Sequence, residues 1–155
     1  MSVATKDIRN VVLLGHSGSG KTTFAETMLF ESGAIKRRGS VGNQNTTSDY
    51  TNIEQERGNS IFSTLMHAQW RNTKINIIDT PGFDDFIGEV ISSLKVADTA
   101  LITLNAASGV EVGTEIIWEY VDKFHSPAVF VVNQMDHDKA DFETTLEQAV
   151  DRFGN

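Results

Sequence analysis

Residues Gly15-His16-Ser17-Gly18-Ser19-Gly20-Lys21-Thr22 fit the pattern G-x-x-x-x-G-K-[ST] at every position, and no other feature narrows the fold of this chain so far. The run lies between an apolar segment, Ile8 to Leu14, and a stretch from Thr23 to Phe30 that carries Phe24, Met28 and Leu29 at helical spacing. In that setting the glycines curl the backbone until successive N–H groups face one anion, and the positive end of the following helix stands behind them. Gly15 to Thr23 is therefore read as the phosphate-binding segment. Lys21 reaches the β- and γ-phosphates, and the Thr22 hydroxyl is placed to ligate Mg²⁺. The loop leaves the base open, because kinases, ATPases and GTPases share it.

After the first strand and helix, residues 33 to about 58 show neither strand nor helix period. They are rich in Gly, Ser, Asn and Thr, and begin with the basic run Lys36-Arg37-Arg38. A loop of that length inside a compact domain is usually functional. Ser60 to Trp70 and Thr73 to Ile78 read as two strands joined at Arg71-Asn72, an antiparallel hairpin. Alternation then resumes. Ile87, Val90, Ile91 and Leu94 mark a helix face and Thr99 to Leu104 a strand. Ile116 to Phe124 gives another helical stripe, Ala128 to Val132 an apolar strand, and Phe142 to Phe153 a last helix. Strands alternating with helices predict a three-layer α/β domain with a mostly parallel sheet, whose ligands sit beyond the carboxyl ends of the strands.

Two further motifs fall at such ends. Asp79-Thr80-Pro81-Gly82 follows Ile75 to Ile78; its carboxylate is suited to the Mg²⁺ shell, and the Gly82 N–H to a γ-phosphate that draws the next loop into order. Asn133-Gln134-Met135-Asp136 follows Ala128 to Val132 and nearly fits N-K-x-D. A carboxylate at Asp136 accepts two hydrogen bonds from N1–H and the exocyclic amine of guanine. Adenine would leave it unpaired, at a cost of about 1–3 kcal/mol. Asn133 is expected to fix the loop and touch the base edge. Gln134 stands in place of a lysine whose stem would cover base and ribose.

With these motifs in order, the stretches Asp49-Tyr50-Thr51-Asn52-Ile53-Glu54-Gln55-Glu56-Arg57-Gly58-Asn59-Ser60-Ile61 and Asp79-Thr80-Pro81-Gly82-Phe83-Asp84-Asp85-Phe86 resemble the G domain of bacterial translation elongation factor G over nearly the whole chain. The resemblance implies a Ras-like P-loop domain that binds GTP or GDP with Mg²⁺ and works on the ribosome. It also implies a first switch at 36 to about 60, a second at 79 to 89, and a guanine loop at 133 to 136. Peptide-release factor 3 and the ribosomal protection proteins share much of the pattern. Four departures mark a divergent relative: Phe83 where the family has its catalytic histidine, Ser60 where it has the Mg²⁺-binding threonine, Gly18 where it has an acidic residue that helps position a monovalent cation, and Gln134 where it has lysine. Metal contacts are thus expected from Thr22, Ser60 and Asp79, with Lys21 and the replaced position 83 setting catalysis and hydrolysis weakened or lost. Without a γ-phosphate, residues 38 to 58 are expected to be mobile. The resemblance also implies one more strand, a base-contacting loop and a final helix beyond Phe142 to Phe153, and nothing after Asp136 supplies that loop before Asn155, which reads as a truncated G domain.

Composition closes off other classes. Thirteen Lys and Arg against 21 Asp and Glu leave a net charge of −8, a poor match for DNA, and the chain has no cysteine for disulfides or thiolate metal sites. The four histidines have no ligand spacing. Absence of a long apolar run argues against a membrane span, and with no signal segment the expected location is cytoplasmic. A hydrolysis-competent translational GTPase is the nearest alternative function. A P-loop nucleotide kinase or ATPase is more remote, since it leaves Arg57-Gly58, Asp79 to Gly82 and Asp136 without a role.

Overall fold

A computed structural model describes residues 3–154. Five strands form one sheet in the order β2-β3-β1-β4-β5, where β1 is Ile8–Leu14, β2 Thr64–Trp70, β3 Thr73–Asp79, β4 Thr99–Asn105 and β5 Ala128–Asn133. Only β2 runs antiparallel, paired to β3 from Thr64 against Asp79 to Trp70 against Thr73. The other pairings are parallel. This is the Ras-like α/β arrangement expected from the sequence.

Helices α1 (Lys21–Glu31), α3 (Ile87–Leu94), α4 (Val112–Lys123) and α5 (Phe142–Phe153) cover the two faces, and α2 (Asn52–Arg57) is a short helix in the long loop. Leu13, Ala25, Leu29, Met66, Ala68 and Ile77 make one core under α1. Val12, Leu14, Val90, Leu94, Ile102, Leu104, Ile117, Val121 and Phe153 make the other, where Trp118 lies against Phe130 and Phe153. Because β1, β3, β4 and β5 are parallel, their carboxyl ends meet at one end of the sheet. There lie Gly15, Asp79, Asn105 and Asn133.

Two elements differ from the sequence reading. The loop after α1 contains α2, which opens on a capping box: Thr51 Oγ1 accepts from the Glu54 N–H, and the Glu54 carboxylate accepts from the Thr51 N–H. It stops at Gly58 in left-handed conformation. The strand expected from Ser60 begins only at Thr64, because the N–H groups of Ile61 and Phe62 donate instead to Glu54 Oε1 at 3.0 and 3.2 Å. Glu54 thereby ties both flanks of α2 to one side chain. Strand β5 is an edge strand and half-buried, with Val129 exposed.

Candidate functional site

The loop from Gly15 to Thr22 turns tightly after β1 and enters α1 through Gly20, whose φ of +90° favours glycine. A Cβ at Gly20 would also stand 2.3 Å from Asn133 Nδ2, so the base loop packs directly on the phosphate loop. Lys21 is buried, and its ammonium donates to the carbonyls of Gly15 and His16 at 2.8 and 2.9 Å, which stretches it across the mouth of the loop. Burial pulls its pKa down to about 8, opposed by the charges of Asp79, Asp49 and Glu111, so the group remains largely protonated at pH 7.

Beside Lys21 lies a chain of oxygens. Thr22 Oγ1 donates to Asp79 Oδ2 at 2.8 Å and stands 3.4 Å from Ser60 Oγ, which donates to Asp49 Oδ1 at 2.6 Å. Asp79 is wholly inaccessible; its Oδ1 and Ser48 Oγ are buried and neither makes a hydrogen bond of good geometry, although Ser48 lies close enough to Asp79 to favour its ionised form. Burial drives the Asp79 carboxyl up to about 6 and raises Asp49 also. A carboxylate oxygen left unpaired in the interior, with two hydroxyls at hand, is a donor set suited to a hard cation and its waters. Thr22, Ser60 and Asp79, the three residues predicted to serve Mg²⁺, are thus together. Asp49 stands beside them through the hydrogen bond from Ser60, a carboxylate to which the sequence motifs assign no role.

A cleft of about 240 Å³ opens over these groups, lined by Ser17, Gly18, Gly20, Lys21, Thr22 and Thr23 on one side and by Ser60, Gly82, Phe83 and Gln134 on the other. Gly82 approaches so closely that a Cβ there would stand 2.7 Å from Ser17 N. Phe83 lies on the rim, 44% exposed, and also walls a neighbouring cavity with Arg57 and Asp85. His16 turns away, with Nε2 3.6 Å from Glu111 Oε1, so only its backbone serves the loop. Ser19 likewise spends its hydroxyl on Thr103 Oγ1, at 2.7 Å.

Asp136 lines a separate groove with Gln134, His137 and Asp138. Gln134 borders both spaces and so lies between phosphate cleft and base groove. Asn133 Nδ2 donates to Ser19 O at 2.9 Å, which directs one of its two hydrogens to the phosphate loop. Sequence reasoning missed the carboxylates that organise the loop between α1 and β2. Glu26 Oε2 and Oε1 accept from the N–H groups of Gly39 and Thr47 at 2.7 and 2.5 Å, while Glu54 accepts from Thr51, Ile61 and Phe62. Glu26 gives no sequence signal beyond being an acid on an otherwise buried helix face. The capping box of Thr51 and Glu54 was legible as T-x-x-E.

Comparison with known proteins agrees with this geometry. The model of the elongation factor Tu GTP binding domain matches residues 6–155. The mitochondrial ribosome-releasing factor 2 of Candida albicans is 41% identical over 152 residues, 98% of this chain and 19% of that protein. An elongation factor G-like protein of Thermotoga maritima is 36% identical over 148 residues, 96% of this chain and 21% of that one. A crystal structure of a Thermus thermophilus protein superposes with a TM-score of 0.91 at 37% identity, covering 95% of this chain and 22% of the other. The chain thus spans about a fifth of the length of the relatives it matches.

Proposed function

Because the chain belongs to the family of elongation factor Tu-type GTP-binding domains, we propose that it is the nucleotide-binding domain of a ribosome-acting factor of the elongation factor G type, with weakened GTP hydrolysis. The observation that carries the reading is the single cleft that gathers Lys21, Thr22, Ser60, Gly82 and Phe83 above the buried Asp79. In it the loop N–H groups and Lys21 receive the phosphates. Thr22 and Ser60 offer hydroxyls to Mg²⁺, with the free Oδ1 of Asp79 behind them, and the cation would neutralise the phosphate charge. Asp136 reads the guanine.

Phosphoryl transfer depends on positioning and electrostatics, so the residue facing the attacking water matters most. The ring of Phe83 on the rim can neither orient a water nor answer developing charge. Asp84 follows it in sequence, but a carboxylate near the γ-phosphate adds like-charge repulsion. Loss of a proton-transfer or orienting group commonly removes a factor of about 10²–10⁴. Single-turnover GTP hydrolysis with ribosomes, wild type against Phe83→His, tests this: the variant is expected to gain a comparable factor. If the wild type already hydrolyses as fast as the variant, the reading of Phe83 fails.

The alternative of a hydrolysis-competent translational GTPase draws on the hydroxyl of Ser60 standing 3.4 Å from Thr22 Oγ1, which keeps an oxygen ligand where the family has threonine. The same assay separates the two readings. A kinase or ATPase leaves Asp136 and the family match without explanation. Among the described residues no helix is long and apolar enough to cross a membrane.

A further inference from the structure

Gln134 is held in place from both sides, and its position explains how a neutral residue can occupy the floor between phosphate cleft and base groove. The Ala107 N–H donates to Asn105 Oδ1 at 2.8 Å; Asn105 Nδ2 donates to Gln134 Oε1 at 3.0 Å; Gln134 Nε2 donates to Gly18 O at 2.7 Å. One end of this relay is a backbone N–H, which can only donate, and the other a backbone carbonyl, which can only accept. Both side-chain amides are therefore fixed in orientation, since turning either one over would set donor against donor and acceptor against acceptor. The relay runs from the end of β4, through the residue after β5, to the phosphate loop. It also fastens Gln134 in a left-handed backbone conformation, φ +60°, that a non-glycine residue rarely adopts.

We propose that Asn105 is a positioning residue for guanine nucleotide binding: it orients the Gln134 amide so that Gln134 latches the base loop to Gly18 and presents its aliphatic stem as a fixed surface between the two halves of the nucleotide. This rests on the guanine-nucleotide reading given above. The need for Asn105 follows from the chemistry of an amide. A lysine at position 134 carries three donors and no acceptor, so it can reach Gly18 O without an orienting partner. Glutamine has one donor face and one acceptor face, and the wrong face toward Gly18 would leave two carbonyl oxygens opposed.

The test is a double-mutant cycle on the affinity and dissociation rate of mant-GDP, with Asn105→Ala, Gln134→Lys and the pair together. Asn105→Ala is expected to weaken mant-GDP by about 3- to 10-fold, mainly through faster dissociation, in line with the loss of one well-placed hydrogen bond. In the Gln134→Lys background the same change is expected to cost less than two-fold. Asn105→Asp separates orientation from folding: its carboxylate still accepts from Ala107 N–H but cannot donate to Gln134, so it should weaken binding as alanine does while the melting temperature stays near wild type. Equal losses from Asn105→Ala in both backgrounds, or wild-type affinity in Asn105→Asp, would overturn the proposal while leaving guanine binding intact. Failure of the wild type to bind mant-GDP would overturn the guanine reading itself, and this role with it.

Discussion

Burial of Asp79 destabilises the folded protein wherever its carboxyl is ionised, and a proton or a bound cation would offset that cost. Its carboxyl is raised to about 6 by burial, against about 3.9 in an unfolded chain, so between roughly pH 4 and 6 the folded state binds more protons than the unfolded one. Stability from this group is greatest below about pH 4 and is lost as the pH rises toward 6. Asp49, also raised by burial, acts in the same sense. The motif position fixes which carboxylate this is, but nothing in the sequence says that Thr22 takes only its Oδ2 and leaves Oδ1 without a well-formed hydrogen bond. Asp79→Asn is expected to stabilise the nucleotide-free, chelator-treated protein by about 1–3 kcal/mol at pH 7 and by little at pH 4. Adding Mg²⁺ and GDP should reverse the order, because the asparagine offers the cation no charge. Chemical denaturation at the two pH values measures both effects, and an equal gap at pH 4 and pH 7 would mean that Asp79 is ionised throughout.

At the scale of elements, the long loop between α1 and β2 departs furthest from what its composition predicts. Few apolar residues point to mobility for 38 to 58; in the structure this span mixes exposed residues with buried polar ones, Thr46, Ser48, Asp49 and Glu54. The order it has comes from carboxylates. Glu26 of α1 gathers Gly39 and Thr47, and Glu54 of α2 gathers the two ends of its own segment. Hydrophobic periodicity marks the strands and the long helices, which is why β1, β3, β4, β5, α3 and α5 fall where the sequence puts them. It is blind to an acid that serves as a hub for backbone N–H groups scattered along the chain. Glu26→Gln keeps the shape but replaces one acceptor oxygen by a donor, so one of the two loop N–H groups must lose its partner. Faster amide exchange at Gly39 and Thr47 and a loss of about 1–3 kcal/mol are expected, with exchange along β3 shifting only by the global change. Unaltered exchange at both amides would show that the loop is held by other contacts.

At the scale of the whole molecule, the nucleotide site is a consequence of topology. Parallel strands deliver the ends of β1, β3, β4 and β5 to one side of the sheet, so four segments distant in sequence place the Gly15 to Thr22 loop, Asp79, Asn105 and the Asn133 to Asp136 loop side by side, the groups to which the phosphate, metal, orienting and base roles are proposed. The individual motifs were legible one by one from the sequence. Their coupling was not, because it depends on Asn133 and Gln134 reaching more than a hundred residues back to Ser19 and Gly18. That coupling also sets how base choice should respond to mutation. Asp136 stands exposed in its own groove, and neither the phosphate loop nor Thr22, Ser60 or Asp79 lines that groove. Asp136→Asn therefore changes the pattern of acceptors presented to the base and leaves the phosphate cleft intact. The amide can donate to the 2-oxo group of xanthine and accept from its N1–H, while guanine's exocyclic amine loses its carboxylate partner. GTP affinity should fall by about 10- to 100-fold, matching the roughly 1–3 kcal/mol assigned to the base contact, and XTP should gain. Displacement of mant-GDP by GTP, XTP and ATP from both proteins measures the exchange. ATP should compete poorly with either. Equal competition by ATP and GTP on the wild type would remove Asp136 from base recognition altogether.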